Sequence, residues 1–132
     1  MTTVEAIRQA AQRLWDGEGG QQSRFTLQFD KTNSECHLDS LVASDQTGGL
    51  KQIVDDMLTD KIYPLVRSAF GKDLTEGELC VYDSLVIRYN GDMSTDKFGA
   101  SQPLHFDGGV VSVNIALNGA CDFEGGGTFF EG

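Results

Sequence analysis

Residues 83–132 read DSLVIRYNGDMSTDKFGASQPLHFDGGVVSVNIALNGACDFEGGGTFFEG, and the architecture turns on how this stretch alternates apolar and polar positions. At its centre stand His105, Phe106 and Asp107. Side chains two apart on an extended chain point to the same side, so the imidazole and the carboxylate can be aimed at one ion. Such a pair supplies two of the three positions of the 2-His-1-carboxylate facial triad that holds non-heme Fe(II). Upstream, Leu85, Ile87 and Tyr89 share one face of a predicted strand, rich in residues that suit a pleated, half-buried surface. Downstream, Gly108-Gly109 permits a tight turn. From Val110 to Leu117 the pattern alternates: Ser112, Asn114 and Ala116 on one face, Val111, Val113, Ile115 and Leu117 on the other.

Four pieces of this stretch, VIRY (86–89), LHFD (104–107), SVNIALN (112–118) and DFEGGGTFF (122–130), resemble the catalytic domain of the iron- and 2-oxoglutarate-dependent dioxygenases, in the prolyl and lysyl hydroxylase branch. The resemblance covers about the last 50 residues well and the first 80 loosely. It implies an α+β chain in which N-terminal helices (1–78) support the first half of a double-stranded β-helix, or jelly roll (79–132). His105 and Asp107 would then be catalytic metal ligands, with Tyr89, Ser112 and Asn114 lining the cosubstrate pocket. Fe(2+), 2-oxoglutarate and L-ascorbate are the implied cofactors. The implied reaction couples oxidative decarboxylation of 2-oxoglutarate to hydroxylation of peptidyl proline, peptidyl lysine or a related substrate.

The sequence departs from that pattern in three ways. Ala116 stands where some relatives carry a cosubstrate-binding tyrosine. The family's second histidine follows H-x-D farther along the chain, and so does the basic residue that pairs with the distal carboxylate of 2-oxoglutarate; no His, Lys or Arg follows Asp107 here. The expectation is therefore a fragment of such an enzyme, inactive alone. Two alternatives stand beside it: a non-catalytic jelly-roll module that binds protein, and a cupin-like binder of another divalent metal.

With 132 residues the chain has room for one domain, and ten Lys and Arg against twenty Asp and Glu give a net charge of −10. That balance argues against nucleic acid or an anionic membrane as partner. It keeps the protein soluble and would suit a basic peptide or small-molecule substrate. Cys36, Cys80 and Cys121 are widely spaced without C-x-x-C, reading as a reduced set. The N-terminus lacks a secretory signal, and no run reaches the roughly 18 apolar residues of a membrane span. A cytoplasmic location is expected.

The remaining chain reads as support. Thr2 and Glu5 form a predicted capping box. Val4, Ile7, Ala11, Leu14 and Trp15 then lie on one helical face, ending at Gly17 to Gly20. Phe25 to Phe29 alternates as a strand, and 30–45 reads as polar and irregular. His37, inside it, reads as a surface or turn histidine and not as a metal ligand. Apolar residues from Leu50 to Phe70 predict a long helix, interrupted near Pro64 because proline removes a hydrogen bond and clashes with the preceding turn; Gly71 would stop it. Residues 90–103 read as a loop beside the metal ligands. Asn118-Gly119 signals a turn, and glycines 125–127 lead into a strand at Thr128 to Phe130.

Overall fold

The structure, a computed structural model, describes residues 1–17, 35–75, 77–89 and 105–124. The expected strands at 25–29 and 128–130, the loop at 90–103 and the glycines 125–127 lie outside the described residues. What is described is an α+β arrangement of helices against a two-stranded sheet.

Helix α1 (Thr3–Asp16) begins as its sequence predicts. The Thr2 hydroxyl accepts from the Glu5 N–H at 3.2 Å, while the Glu5 carboxylate accepts from the Thr2 N–H at 2.8 Å. Two of the N–H groups that a helix start leaves without partners are thereby satisfied. Gly17 ends the helix, its N–H donating to the Arg13 carbonyl. The buried face is Ala6, Ile7, Ala10 and Ala11, three of them small enough to bring neighbouring helices close.

Residues 35–45, part of the stretch read as polar and irregular, hold more order than that reading expects. Strand β1 (Glu35–His37) runs directly into helix α2 (Leu38–Ser44), and Leu38 and Leu41 are buried. Strand β1 pairs antiparallel with β2 (Leu85–Ile87): Glu35 faces Ile87, Cys36 faces Val86, and His37 faces Leu85. One further bond, from the Leu38 N–H to the Ser84 carbonyl at 3.0 Å, carries the pairing past the ladder. The sheet thus joins residues from both of the regions expected from the sequence.

The predicted long helix is present with its interruption. Helix α3 (Gly49–Met57) passes into a π-helical turn (Leu58–Ile62) and then helix α4 (Tyr63–Thr75). The widened turn falls immediately before Pro64, where the missing N–H breaks the regular ladder. Gly71 is non-helical, with φ 71° and ψ −174°, a backbone conformation that glycine adopts at little cost.

Among the described residues one core joins α1, α2, α3, β1 and β2. Ile7 and Ala11 of α1, Leu41 of α2, Leu50 and Val54 of α3, Cys36 of β1 and Val86 of β2 pack together, with Leu117 against their margin. Alternation along β2 places Val86 and Arg88 on the helix side, and the Arg88 guanidinium lies over the Trp15 ring, 4.8 Å from its centroid. Leu85, Ile87 and Tyr89 take the opposite face, where Glu35 is fully buried.

The expected strand at 110–117 is not formed. The alternation is there, but a strand exists only through a ladder. Among the described residues β1 and β2 pair with each other, and 110–117 pairs with neither. Val110 is exposed and Val113 and Ile115 are partly so, while Leu117 reaches the core.

Candidate functional site

The residues expected to hold metal do converge. His105 Nε2 lies 3.3 Å from Asp107 Oδ1, with side chains 30% and 53% exposed. Phe106 between them is fully exposed, as expected if the flanking side chains share one side and it takes the other. The chain bends through residues 108–111 and returns Ser112 to the pair, where its hydroxyl donates to Asp107 Oδ2. Asp107 therefore sits between two partners, one on each oxygen.

That order excludes one obvious chemistry. In a serine hydrolase the imidazole takes the serine proton while the carboxylate holds the other ring nitrogen. Here serine and histidine both contact the carboxylate, and this arrangement does not set the imidazole to activate Ser112.

Tyr82 adds a wall that the sequence reading missed. A Cβ placed on Gly108 would stand 3.0 Å from the Tyr82 ring, so the ring lies close against the backbone beside Asp107. The signal for it was faint: a glycine after H-x-D reads as a turn residue, and no local pattern ties it to Tyr82. Next to Tyr82, the Asp83 carboxylate lies 3.3 Å from His37 Nδ1. His37, read from the sequence as a surface or turn histidine, is the last residue of β1, paired with Leu85, and stands at the start of α2. The chain's two histidines thus stand on segments linked through Tyr82 and Gly108, each with its own aspartate.

Of the remaining expected residues, Asn114 is exposed. Tyr89 follows β2, and its hydroxyl is held above its ordinary value of 10.0, first by burial and then by the charge of Glu35. The charge that acts on Tyr89 is thus Glu35, on its own face of the sheet. A separate open cleft of about 270 Å³ lies between α1 and α2, lined by Ala10, Arg13, Leu14, Leu41, Ser44 and Asp45. It shares no residue with the His105 cluster.

Two ligands bound to one ion at about 2.1 Å and at right angles stand about 3.0 Å apart. The His105 to Asp107 separation of 3.3 Å suits that geometry. Without a metal the same contact is an ion pair only while the imidazole is protonated. Among the described residues no group of three or more His, Cys, Asp or Glu side chains is placed to hold a metal ion. Among the described residues His105 and Asp107 therefore form a pair of donor groups and not a complete facial triad. Comparison of the chain with models of protein families, with curated proteins and with solved structures finds no match.

Proposed function

We propose that this chain carries the His-x-Asp portion of an iron(II)- and 2-oxoglutarate-dependent dioxygenase site, with residues 79–132 contributing the first half of a double-stranded β-helix. The reaction class is hydroxylation of peptidyl proline, peptidyl lysine or a related substrate. One observation carries the reading: His105 Nε2 and Asp107 Oδ1 approach to 3.3 Å on a partly exposed turn. Bound iron would supply oxygen activation and 2-oxoglutarate the reducing equivalents.

What these residues contribute is more limited. His105 and Asp107 offer two ligand atoms, and Ser112 engages the carboxylate. The second histidine of the triad and a cation for the distal carboxylate of 2-oxoglutarate are not found after Asp107 in this sequence. An unpaired carboxylate taken out of water is costly, so turnover by these 132 residues alone is not expected. The direct test is anaerobic Fe(II) or Co(II) titration of the purified chain beside His105→Ala and Asp107→Ala. Weak uptake lost in both variants supports the reading, whereas uptake indifferent to both removes it.

A second reading draws on the same turn. Phe106 is 100% exposed and Val110 85%, the kind of apolar display that marks protein-binding surfaces. A non-catalytic binding module would keep these side chains and take up no metal at His105, so the same titration separates the two. A cupin-like site would show itself in that titration by preferring another divalent ion to Fe(II).

A further inference from the structure

We infer that the first two turns of helix α4 are a docking surface for an acidic amphipathic helix of another protein. This surface shares no residue with the His105 turn and does not depend on metal binding there.

Helix α4 (Tyr63–Thr75) stands outside the core. Among the described residues that core reaches Leu58, the first residue of the π-helical turn, and takes in no residue of α4. At helical spacing Leu65, Val66, Ala69 and Phe70 share one face. Val66 is buried, but Leu65 and Phe70 beside it are 58% and 51% exposed. A helix laid on a core hides such a face, whereas here its two largest side chains stay in water. Ala69, four residues after Leu65 and next to Phe70, is small enough to admit the ridge of a second helix. The face ends at Gly71, whose φ of 71° takes the chain out of the helix.

Charge selects the partner. Residues 61–72 contain three of the chain's ten Lys and Arg and none of its twenty Asp and Glu. Lys61 and Arg67 are exposed, and among the described residues neither enters an ion pair. Arg67 comes four residues after Tyr63 and three before Phe70, so it borders the apolar face. A helix whose leucines are flanked by glutamates or aspartates covers Leu65 and Phe70 and meets both cations. A second copy of this chain is opposed by its net charge of −10. An anionic membrane meets the same repulsion, and two helical turns offer little apolar area to overcome it. So small a surface makes a weak, transient contact.

The experiment follows the amide resonances of the 132-residue chain by NMR. The probe is a synthetic heptad peptide with leucine at a and d and glutamate at e and g, compared with its lysine counterpart and with phosphatidylglycerol vesicles. The glutamate peptide should move the resonances of residues 63–70, and less so as salt is raised. Leu65→Ser and Phe70→Ser, both at exposed positions outside the core, should each weaken that binding about tenfold. Joint Lys61→Glu and Arg67→Glu substitution should hand binding at α4 to the lysine peptide. The inference is overturned if the glutamate peptide leaves residues 63–70 unmoved, or if both peptides move them equally in the wild type. It is also overturned if vesicles move them and the glutamate peptide does not, which would make the occupant a lipid surface. Resonances at 63–70 that move with protein concentration alone would make it a second copy, and overturn the inference as well.

Discussion

Cys36 shows how far burial alone sets the behaviour of a residue here. Its thiol is pushed up from 9.0 to about 11, first by burial and then by the neighbouring Glu35 charge. Its Sγ lies 3.8 Å from the Val86 carbonyl across the sheet. Because the thiolate is the reactive form, Cys36 should resist a thiol reagent at pH 8 in the native protein, while the exposed Cys80 and Cys121 react at once. Two fast equivalents and a third released only by denaturant is the expected count. The same shift has a signed effect on stability. Above pH 9.0 the unfolded chain gives up this proton while the folded chain keeps it until about 11, so stability falls as pH rises through that window. Leu41, with no exposed surface, belongs to the same core, and Leu41→Ala should cost about 2–5 kcal/mol in urea denaturation. Gly108→Ala is the contrasting case. The new Cβ meets only the outer edge of an exposed Tyr82 ring, so the Tyr82 aromatic resonances should move while stability stays within about 0.5 kcal/mol.

Among the elements, α3 depends on a residue outside it. Its N-cap is Gly48, which has no side chain to offer, and Asp45 takes over. Asp45 accepts from the Leu50 N–H at 2.7 Å, from the Thr47 hydroxyl at 2.7 Å and from the Thr47 N–H at 3.1 Å. These bonds hold its carboxyl below the ordinary 3.8, the Leu50 bond contributing most. As pH falls below 3.8 the unfolded chain takes up the proton first. The stabilisation is complete above that value and is lost as pH falls through the lower folded one. Asp45→Asn should therefore flatten the acid limb of the stability curve, measured by circular dichroism. The junction of α1 with β2 is held differently, by Arg88 over Trp15. Since Trp15 is the single tryptophan, the protein's tryptophan emission reports the surroundings of that one ring, the Arg88 contact and the core it packs against. Arg88→Gln should shift the emission and lower stability by about 1 kcal/mol.

At the scale of the whole molecule, elements made by near neighbours were legible in the sequence, and contacts made by distant ones were not. Helix α1 with its Thr2 and Glu5 cap, the interruption before Pro64 and the break at Gly71 follow from bonds that close within a few residues, so local pattern determines them. Helix α2 is the exception among the local elements: the polar residues around Leu38, Leu41 and Val42 made the stretch read as irregular, and its burial against the core decides the helix. The pairing of Cys36 with Val86 joins positions 50 apart, which no window of sequence contains. The alternation at 110–117 shows the converse: it states which side chains would share a face, while a strand also needs a partner to bond with. At the candidate site, the spacing of His105 and Asp107 by itself determined that their side chains share one side, because alternation along an extended chain is a property of the backbone. Ser112 on the carboxylate, Tyr82 against Gly108 and Asp83 beside His37 were decided only by the tertiary structure, because each depends on where a turn or a sheet returns a distant part of the chain.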